Sequence, residues 1–215
     1  MAKVGASILS ADEKKLKDTL RALEEAGIDE LHWDIMDGLY VGAKKFGSEI
    51  VAEMRKKTKL FFDVHLMVKN PDDVINDYAE AGANAITFHI ETVPDAEKTI
   101  DEITWHDLRA GIAINNMVPV QKALPLLGKV GLVLVMTVEA GEGGQGFIEK
   151  NLEKVRTLRK EIDKGKHDCI IAVDGGINEE TGRLAVEAGA DLLCTGSYII
   201  HAKDMKQAVE ALKKL

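Results

Sequence analysis

Apolar residues along the chain form two kinds of pattern, which alternate from one end to the other. Short continuous runs, such as the five residues 132–136, are typical of parallel strands that are covered on both faces. Longer stretches have apolar residues three or four positions apart, as at Leu16, Leu20 and Leu23, which is typical of helices. The pattern predicts strands at 4–9, 31–36, 60–66, 85–90, 109–114, 131–137, 169–174 and 191–196. It predicts helices at 12–26, 47–57, 71–82, 95–106, 119–128, 148–163, 178–188 and 203–214.

A short motif recurs at the ends of three predicted helices. Glu-Ala-Gly, a small or apolar residue, and then Asp or Asn occur at 25–29, 80–84 and 187–191. The three glycines are 55 and 107 residues apart, close to two and four units of about 27 residues. Each glycine is expected to end its helix in the left-handed conformation, and Ser10 or Asp12 to cap the first helix.

The regular alternation of strands and helices predicts the fold class. It favours an α/β protein with a parallel sheet, and eight units favour closure of that sheet into a (βα)8 TIM barrel. A doubly wound open sheet is the structural alternative. Because no linker or low-complexity segment divides residues 1–215, a single domain is expected.

Charge and cysteine usage narrow the range of partners and compartments. A net charge of −8 argues against nucleic acid and against an anionic membrane surface, since both are bound by basic surfaces. Cys169 and Cys194 lie in apolar runs, which indicates buried thiols in a reducing compartment. No leader pattern and no apolar run of membrane-spanning length is found in the sequence, so we expect a cytoplasmic protein.

Four polar residues fall where predicted strands end, the place where (βα)8 barrels carry their active sites. His32 and Asp34 share one face of the second strand, His65 belongs to the third, and Asp174 ends the seventh. Taken singly, a histidine or aspartate at a strand end often has a structural role. Together at one depth, two histidines and two aspartates predict a site of mixed nitrogen and oxygen ligands for a first-row metal.

Several motifs resemble those of the ribulose-phosphate 3-epimerase family. The most specific are His-x-Asp-x-Met-Asp-Gly at 32–38 and Asp-Val-His-Leu-Met at 63–67. Further similar segments lie at 6–12, 86–91, 135–138 and 173–177, and the similarity continues in register from Ser7 to about Ala202. The resemblance implies a barrel of the ribulose-phosphate-binding type and a sugar phosphate as substrate. It also implies a homo-oligomer, because family members are commonly dimers or larger.

The resemblance assigns roles to the four strand-end residues. His32, Asp34, His65 and Asp174 match the residues that bind one divalent ion, for which Zn²⁺, Fe²⁺, Mn²⁺ and Co²⁺ all remain open. Asp34 and Asp174 also match the acid/base pair. This agrees with the chemistry, since epimerisation at C3 of a 2-ketose removes a proton on one face and returns one on the other through an enediolate. A metal would stabilise the charge of that enediolate.

Other residues match those that surround the family's substrate. Met36, Met67 and Met136 would line the pocket with thioethers, although ordinary core packing explains any one of them equally well. His89 and Glu91, after the fourth strand, are expected to support the site or the fold. The residues expected to contact the sugar phosphate are Ser7 and, in glycine-rich loops suited to a phosphate, Gly143, Gly144, Gly175, Gly176, Gly196 and Ser197.

Three loops depart from the family pattern and keep alternative functions open. They contain Gly42-Ala43, residues 115–119 and residues 140–142, where the family usually has prolines or other residues. The leading hypothesis is interconversion of D-ribulose 5-phosphate and D-xylulose 5-phosphate. The alternatives are the same reaction on a hexulose phosphate such as allulose 6-phosphate, or a barrel that binds sugar phosphate with weakened turnover. The orotidine-phosphate decarboxylase and hexulose-phosphate synthase types of barrel fit the four strand-end ligands less well.

Overall fold

Eight parallel strands close into a barrel in the computed structural model, which describes residues 1–141 and 144–215. The strands are β1 Lys3–Ser7, β2 Glu30–Asp37, β3 Phe61–Met67, β4 Ala85–His89, β5 Arg109–Ile114, β6 Leu132–Met136, β7 Ile170–Asp174 and β8 Leu192–Thr195. Each strand pairs with the next along the chain, and β8 pairs with β1 from Lys3↔Leu192 to Ala6↔Thr195. A two-residue strand, Lys44–Lys45, adds an antiparallel pairing to the end of β2. Closure confirms the predicted (βα)8 barrel, because an open sheet would leave two edges unpaired.

Helices connect most of the strands and cover the outside of the barrel. They are α1 Leu16–Ala26, α2 Ser48–Arg55, α3 Ile75–Glu80, α4 Ala96–Trp105, α5 Leu152–Gly165, α6 Glu179–Ala188, α7 Ser197–Ile200 and α8 Met205–Lys213. The glycines of the repeated motif, Gly27, Gly82 and Gly189, have φ of 81°, 93° and 110°, which confirms their left-handed conformation. Asp12 caps the turn before α1 by accepting from the Lys14 N–H at 3.0 Å. Along the described residues, no helix is both long and apolar enough to cross a membrane.

The predicted helix at 119–128 is wrong. Two short 3-10 helices, Val120–Lys122 and Leu124–Leu126, stand in its place. Pro125 explains the difference, because proline lacks an N–H and its ring clashes with the carbonyl four residues earlier in an α-helix. The first strand is also shorter than predicted and ends at Ser7, whose hydroxyl accepts from the Leu9 N–H at 3.3 Å and begins a 3-10 turn.

The interior of the barrel is divided into an apolar part and a polar part. The apolar part contains Leu132, Leu134 and Met136 of β6 with side chains of β5, β7 and β8, including the buried thiol of Cys194. The polar part is formed by β2, β3 and β4. Its buried side chains are His32, Asp34, Asp63, His65, Thr87 and His89. Burial of so many polar groups requires that they bond one another, and these bonds build the site.

Candidate active site

The four predicted metal ligands lie together at the carboxyl end of the barrel. One ligand atom from each of His32, Asp34, His65 and Asp174 lies within 4.8 Å of the others. His32 and Asp34 point to the same side because they are two residues apart on β2. The register of the sheet places His65 of β3 beside Asp34, and Asp174 ends β7 beside Met136 of β6. Strand alternation and register thus bring together residues from three separate strands.

His32 Nε2 and His65 Nδ1 are the ring nitrogens that face this cluster. His32 Nδ1 is 2.8 Å from Asp63 Oδ2, and the Thr87 hydroxyl holds that carboxylate by donating to its other oxygen at 2.9 Å. His32 Nε2 is thereby left to face His65 Nδ1 at 3.2 Å and Asp34 Oδ1 at 3.5 Å. His65 Nδ1 is 3.1 Å from the same Asp34 oxygen. Two imidazole nitrogens and two carboxylates, with an outer carboxylate orienting one ring, fit a divalent first-row metal ion.

The two aspartates of the cluster differ in their readiness to ionise. Burial raises the pKa of Asp174 to about 7, and the neighbouring charge of Asp34 adds to this effect. Burial acts in the same direction on Asp34, but His32 and His65 outweigh it and hold the pKa of Asp34 well below its usual value. Burial also lowers the pKa of His65 to about 4, so this ring is neutral at neutral pH. Without a metal, one carboxylate is therefore ionised while the other is poised to exchange a proton near neutral pH.

A cavity of about 330 Å³ opens directly above the cluster. Predicted site residues in its lining are Ser7, Asp34, Met67, Met136, Gly144, Asp174, Gly175, Gly176, Gly196 and Ser197. His32 and His65 are fully buried and lie outside this lining. Met36 is also buried, and it too lies outside the lining. Gly143, together with Glu142, lies outside the described residues.

Glycines leave one wall of this cavity without side chains. Gly175 and Gly176 have φ of 112° and 68°, which strains any other residue. A Cβ on Gly176 would lie 3.0 Å from the backbone of Phe147, and a Cβ on Gly196 would lie 3.1 Å from the Ser7 carbonyl oxygen. Backbone of this kind lets a ligand approach peptide groups closely.

Sequence reasoning missed several residues that support the site. Asp63 shares a strand face with His65, and this alternation was a usable signal for its contact with His32. Tyr40 had no such signal, because it lies in the loop after β2. Its hydroxyl is 2.7 Å from Glu91 Oε1 and 3.1 Å from His89 Nδ1, while Asn115 Nδ2 donates to it at 3.0 Å. His89 and Glu91, expected to support the site or the fold, adjoin the cluster, because His89 Nε2 is 2.9 Å from His65 Nε2.

Solved structures with the same barrel align with nearly the whole chain. KGPDC from Streptococcus mutans aligns with a TM-score of 0.71 and 19% identity, over 100% of this chain and 96% of that one. A 3-hexulose-6-phosphate synthase aligns with a TM-score of 0.71 and 15% identity, over 100% and 99% of the two chains. At these identities the likeness establishes the barrel fold alone.

Sequence comparison identifies the family. The model of the ribulose-phosphate 3 epimerase family matches residues 3–200. The ribulose-phosphate 3-epimerase of Bacillus subtilis is 41% identical over 99% of both chains. That of Methanocaldococcus jannaschii is 43% identical over 100% of this chain and 91% of the relative. With matches over nearly its whole length, the chain belongs to the ribulose-phosphate 3-epimerase family.

Proposed function

We propose that this protein is a metal-dependent epimerase that interconverts D-ribulose 5-phosphate and D-xylulose 5-phosphate. The observation that carries the proposal is the position of Asp34 and Asp174. Both carboxylates belong to one cluster of metal-ligand atoms, and both line the same cavity. They come from β2 and β7, which are three steps apart around the ring of eight strands. Two carboxylates that enter one cavity from strands three steps apart suit a reaction that moves protons on both faces of a carbon atom.

The two aspartates act in turn as base and acid. In one direction, the carboxylate on one face takes the proton from C3, and the carboxylic acid on the other face returns a proton to the opposite side. The reverse reaction exchanges their roles. In the metal-free site the pKa of Asp34 is held low and that of Asp174 is raised to about 7, so the two carboxylates differ in how readily they hold a proton. His32, Asp34, His65 and Asp174 would hold a divalent ion, whose positive charge would stabilise the developing negative charge on the substrate oxygens.

The remaining cavity residues bind and shield the substrate in this proposal. Met67 and Met136 offer thioethers, which exclude water and do not compete for protons. Gly176, Gly196 and Ser197 form the end of the cavity that receives the phosphate, where peptide N–H groups bind the anion. The peptide backbone that Gly175, Gly176 and Gly196 contribute to the lining supports this orientation.

Deuterium uptake tests the proposal directly. With Co²⁺-loaded protein and ribulose 5-phosphate in D₂O, proton NMR should detect exchange at C3 together with formation of xylulose 5-phosphate. Exchange without epimerisation would contradict the two-carboxylate mechanism. If ribulose 5-phosphate shows neither exchange nor epimerisation, while allulose 6-phosphate is turned over under the same conditions, the substrate is a hexulose phosphate and not a pentulose phosphate.

Replacement of Ser7 by Ala tests how Asp34 is oriented. The Ser7 hydroxyl donates to Asp34 Oδ2 at 2.6 Å, and both groups are buried. A hydrogen bond to a charged group contributes roughly 1.5–3 kcal/mol, so kcat is expected to fall about tenfold or more. Ser48→Ala is the matched control, because Ser48 begins α2 and lies outside the lining of this cavity. Equal kcat values for the two variants would rule out this role of Ser7.

A further inference from the structure

A chain of hydrogen bonds leads outward from His65 to the loops above the barrel. His65 Nε2 is 2.9 Å from His89 Nε2, and His89 Nδ1 is 3.2 Å from Glu91 Oε1. Both rings are fully buried. Tyr40 donates to the same Glu91 oxygen at 2.7 Å, and Asn115 of the neighbouring loop holds the Tyr40 hydroxyl. These hydrogen bonds end at the Glu91 carboxylate, which Tyr40 and His89 contact directly and Asn115 supports through Tyr40.

The chemistry of these groups sets the direction of each bond. An ionised carboxylate only accepts hydrogen bonds, so the hydrogen between Glu91 and His89 belongs to His89 Nδ1. A cation at His65 Nδ1 leaves the hydrogen of that ring on Nε2, and His89 Nε2, at 2.9 Å, is the atom that can accept it. Glu91 is suited to this task, because burial raises its pKa but the bonds from His89 and Tyr40 outweigh burial and lower it below the usual value.

The hydrogen bond between His65 and His89 bears on which nitrogen of His65 is free to bind a metal ion. If the hydrogen of His65 is on Nε2, its lone pair is on Nδ1, the atom that faces Asp34 Oδ1 at 3.1 Å and His32 Nε2 at 3.2 Å. The opposite tautomer would point an N–H at that position and could not bind a cation there. His32 has its own orienting carboxylate in Asp63, whereas His65 has no carboxylate in direct contact other than Asp34 among the described residues.

We propose that Glu91 is a positioning residue for the metal, which orients His89 to accept the Nε2–H that His65 carries when its Nδ1 binds the cation. Tyr40 and Asn115 hold Glu91 in place for this task. The inference rests on the metal site of the proposed function and extends it from four ligands to residues in two loops. Glu91 lies outside the lining of the proposed substrate cavity, so its effect is on metal binding.

Co²⁺ affinity, measured by competition with a chromogenic chelator, tests the proposal without any turnover assay. Loss of such an orienting partner typically weakens metal binding about 10–100-fold, and we expect this for Glu91→Ala. Glu91→Gln should bind Co²⁺ more nearly like the unaltered protein, because its amide oxygen still accepts from His89 Nδ1. Glu80→Ala is the control, since Glu80 is an exposed residue of α3 that accepts from Asn76. Should Glu91→Ala fail to fold, Tyr40→Phe, which keeps the ring against His89, should still weaken Co²⁺ binding.

The hydrogen on His65 Nε2 provides the second measurement. In the Zn²⁺-loaded protein, proton NMR should find this Nε2–H downfield and slow to exchange with water for the unaltered chain and for Glu91→Gln, and shifted upfield with faster exchange for Glu91→Ala. A purely structural role would lower thermal stability and leave this resonance unchanged. A folded Glu91→Ala with unchanged Co²⁺ affinity and an unchanged Nε2–H resonance would overturn the proposal. If Glu91→Ala weakens Co²⁺ binding but the unaltered, Co²⁺-loaded protein does not epimerise ribulose 5-phosphate, the role of Glu91 is upheld and only the proposed function is contradicted.

Discussion

Asp174→Asn is expected to lower kcat for 3-epimerisation by at least about 10³-fold and to leave the barrel folded. General acid–base catalysis contributes about 10²–10⁴-fold, and the variant also weakens one of the four metal ligands. An amide cannot take the place of a carboxyl group whose pKa lies at about 7, since it neither gains nor loses a proton in this range. The side chain stands at the end of β7 in the wall of the cavity, so an isosteric change there leaves the packing of the barrel intact.

Proton NMR in D₂O distinguishes the two proton transfers in this variant. With Asp34 still present, slow exchange at C3 without formation of the epimer is the expected residual activity. Asp168→Asn is the matched control, because Asp168 is an exposed aspartate just before the opposite end of β7. Turnover of Asp174→Asn equal to that of the unaltered protein would rule out the two-carboxylate mechanism.

The barrel could be predicted from the sequence because the patterns that identify its strands and helix ends are local. Continuous apolar runs such as Leu132–Met136 identify strands, and glycines that take a left-handed conformation, such as Gly27, identify where helices stop. The helix predicted at 119–128 was wrong because that prediction used apolar spacing alone. The spacing does not show that Pro125 interrupts the hydrogen bonds of a helix. Strand alternation likewise placed His32 and Asp34 on one face, and the common depth of strand ends brought His65 and Asp174 to them.

The outer part of the site was less accessible to sequence reasoning. Tyr40 contacts His89 and Glu91 because the loop after β2 brings it to them. The periodic patterns that predict strands and helices do not predict the conformation of a loop. The role of Met36 in the pocket stays a prediction, as do the contacts of the glycine loops with phosphate. The ligand set does not select among Zn²⁺, Fe²⁺, Mn²⁺ and Co²⁺, because first-row metals accept the same nitrogen and oxygen donors and geometry alone rarely separates them.

Removal of divalent metal by a chelator is expected to abolish epimerisation and to lower the melting temperature. The buried cluster concentrates Asp34, Asp174 and two ring nitrogens within 4.8 Å, an arrangement that a cation stabilises in the folded state alone. A free metal concentration of about 100 Kd adds about 2.7 kcal/mol to the free energy of unfolding. For a chain of this size, that corresponds to a rise in Tm of roughly 5–10 °C.

Thermal scans with and without Co²⁺ separate this effect from catalysis. His65→Gln should lose both the Co²⁺-dependent rise in Tm and the turnover, because it removes a ligand that is buried at the centre of the cluster. His106→Gln should keep both, since His106 follows α4 and packs beside Trp105, outside the ligand cluster. Full turnover in protein that elemental analysis finds free of transition metal would contradict metal dependence. A metal-dependent rise in Tm that survives in His65→Gln would mean that the cation binds elsewhere on the molecule.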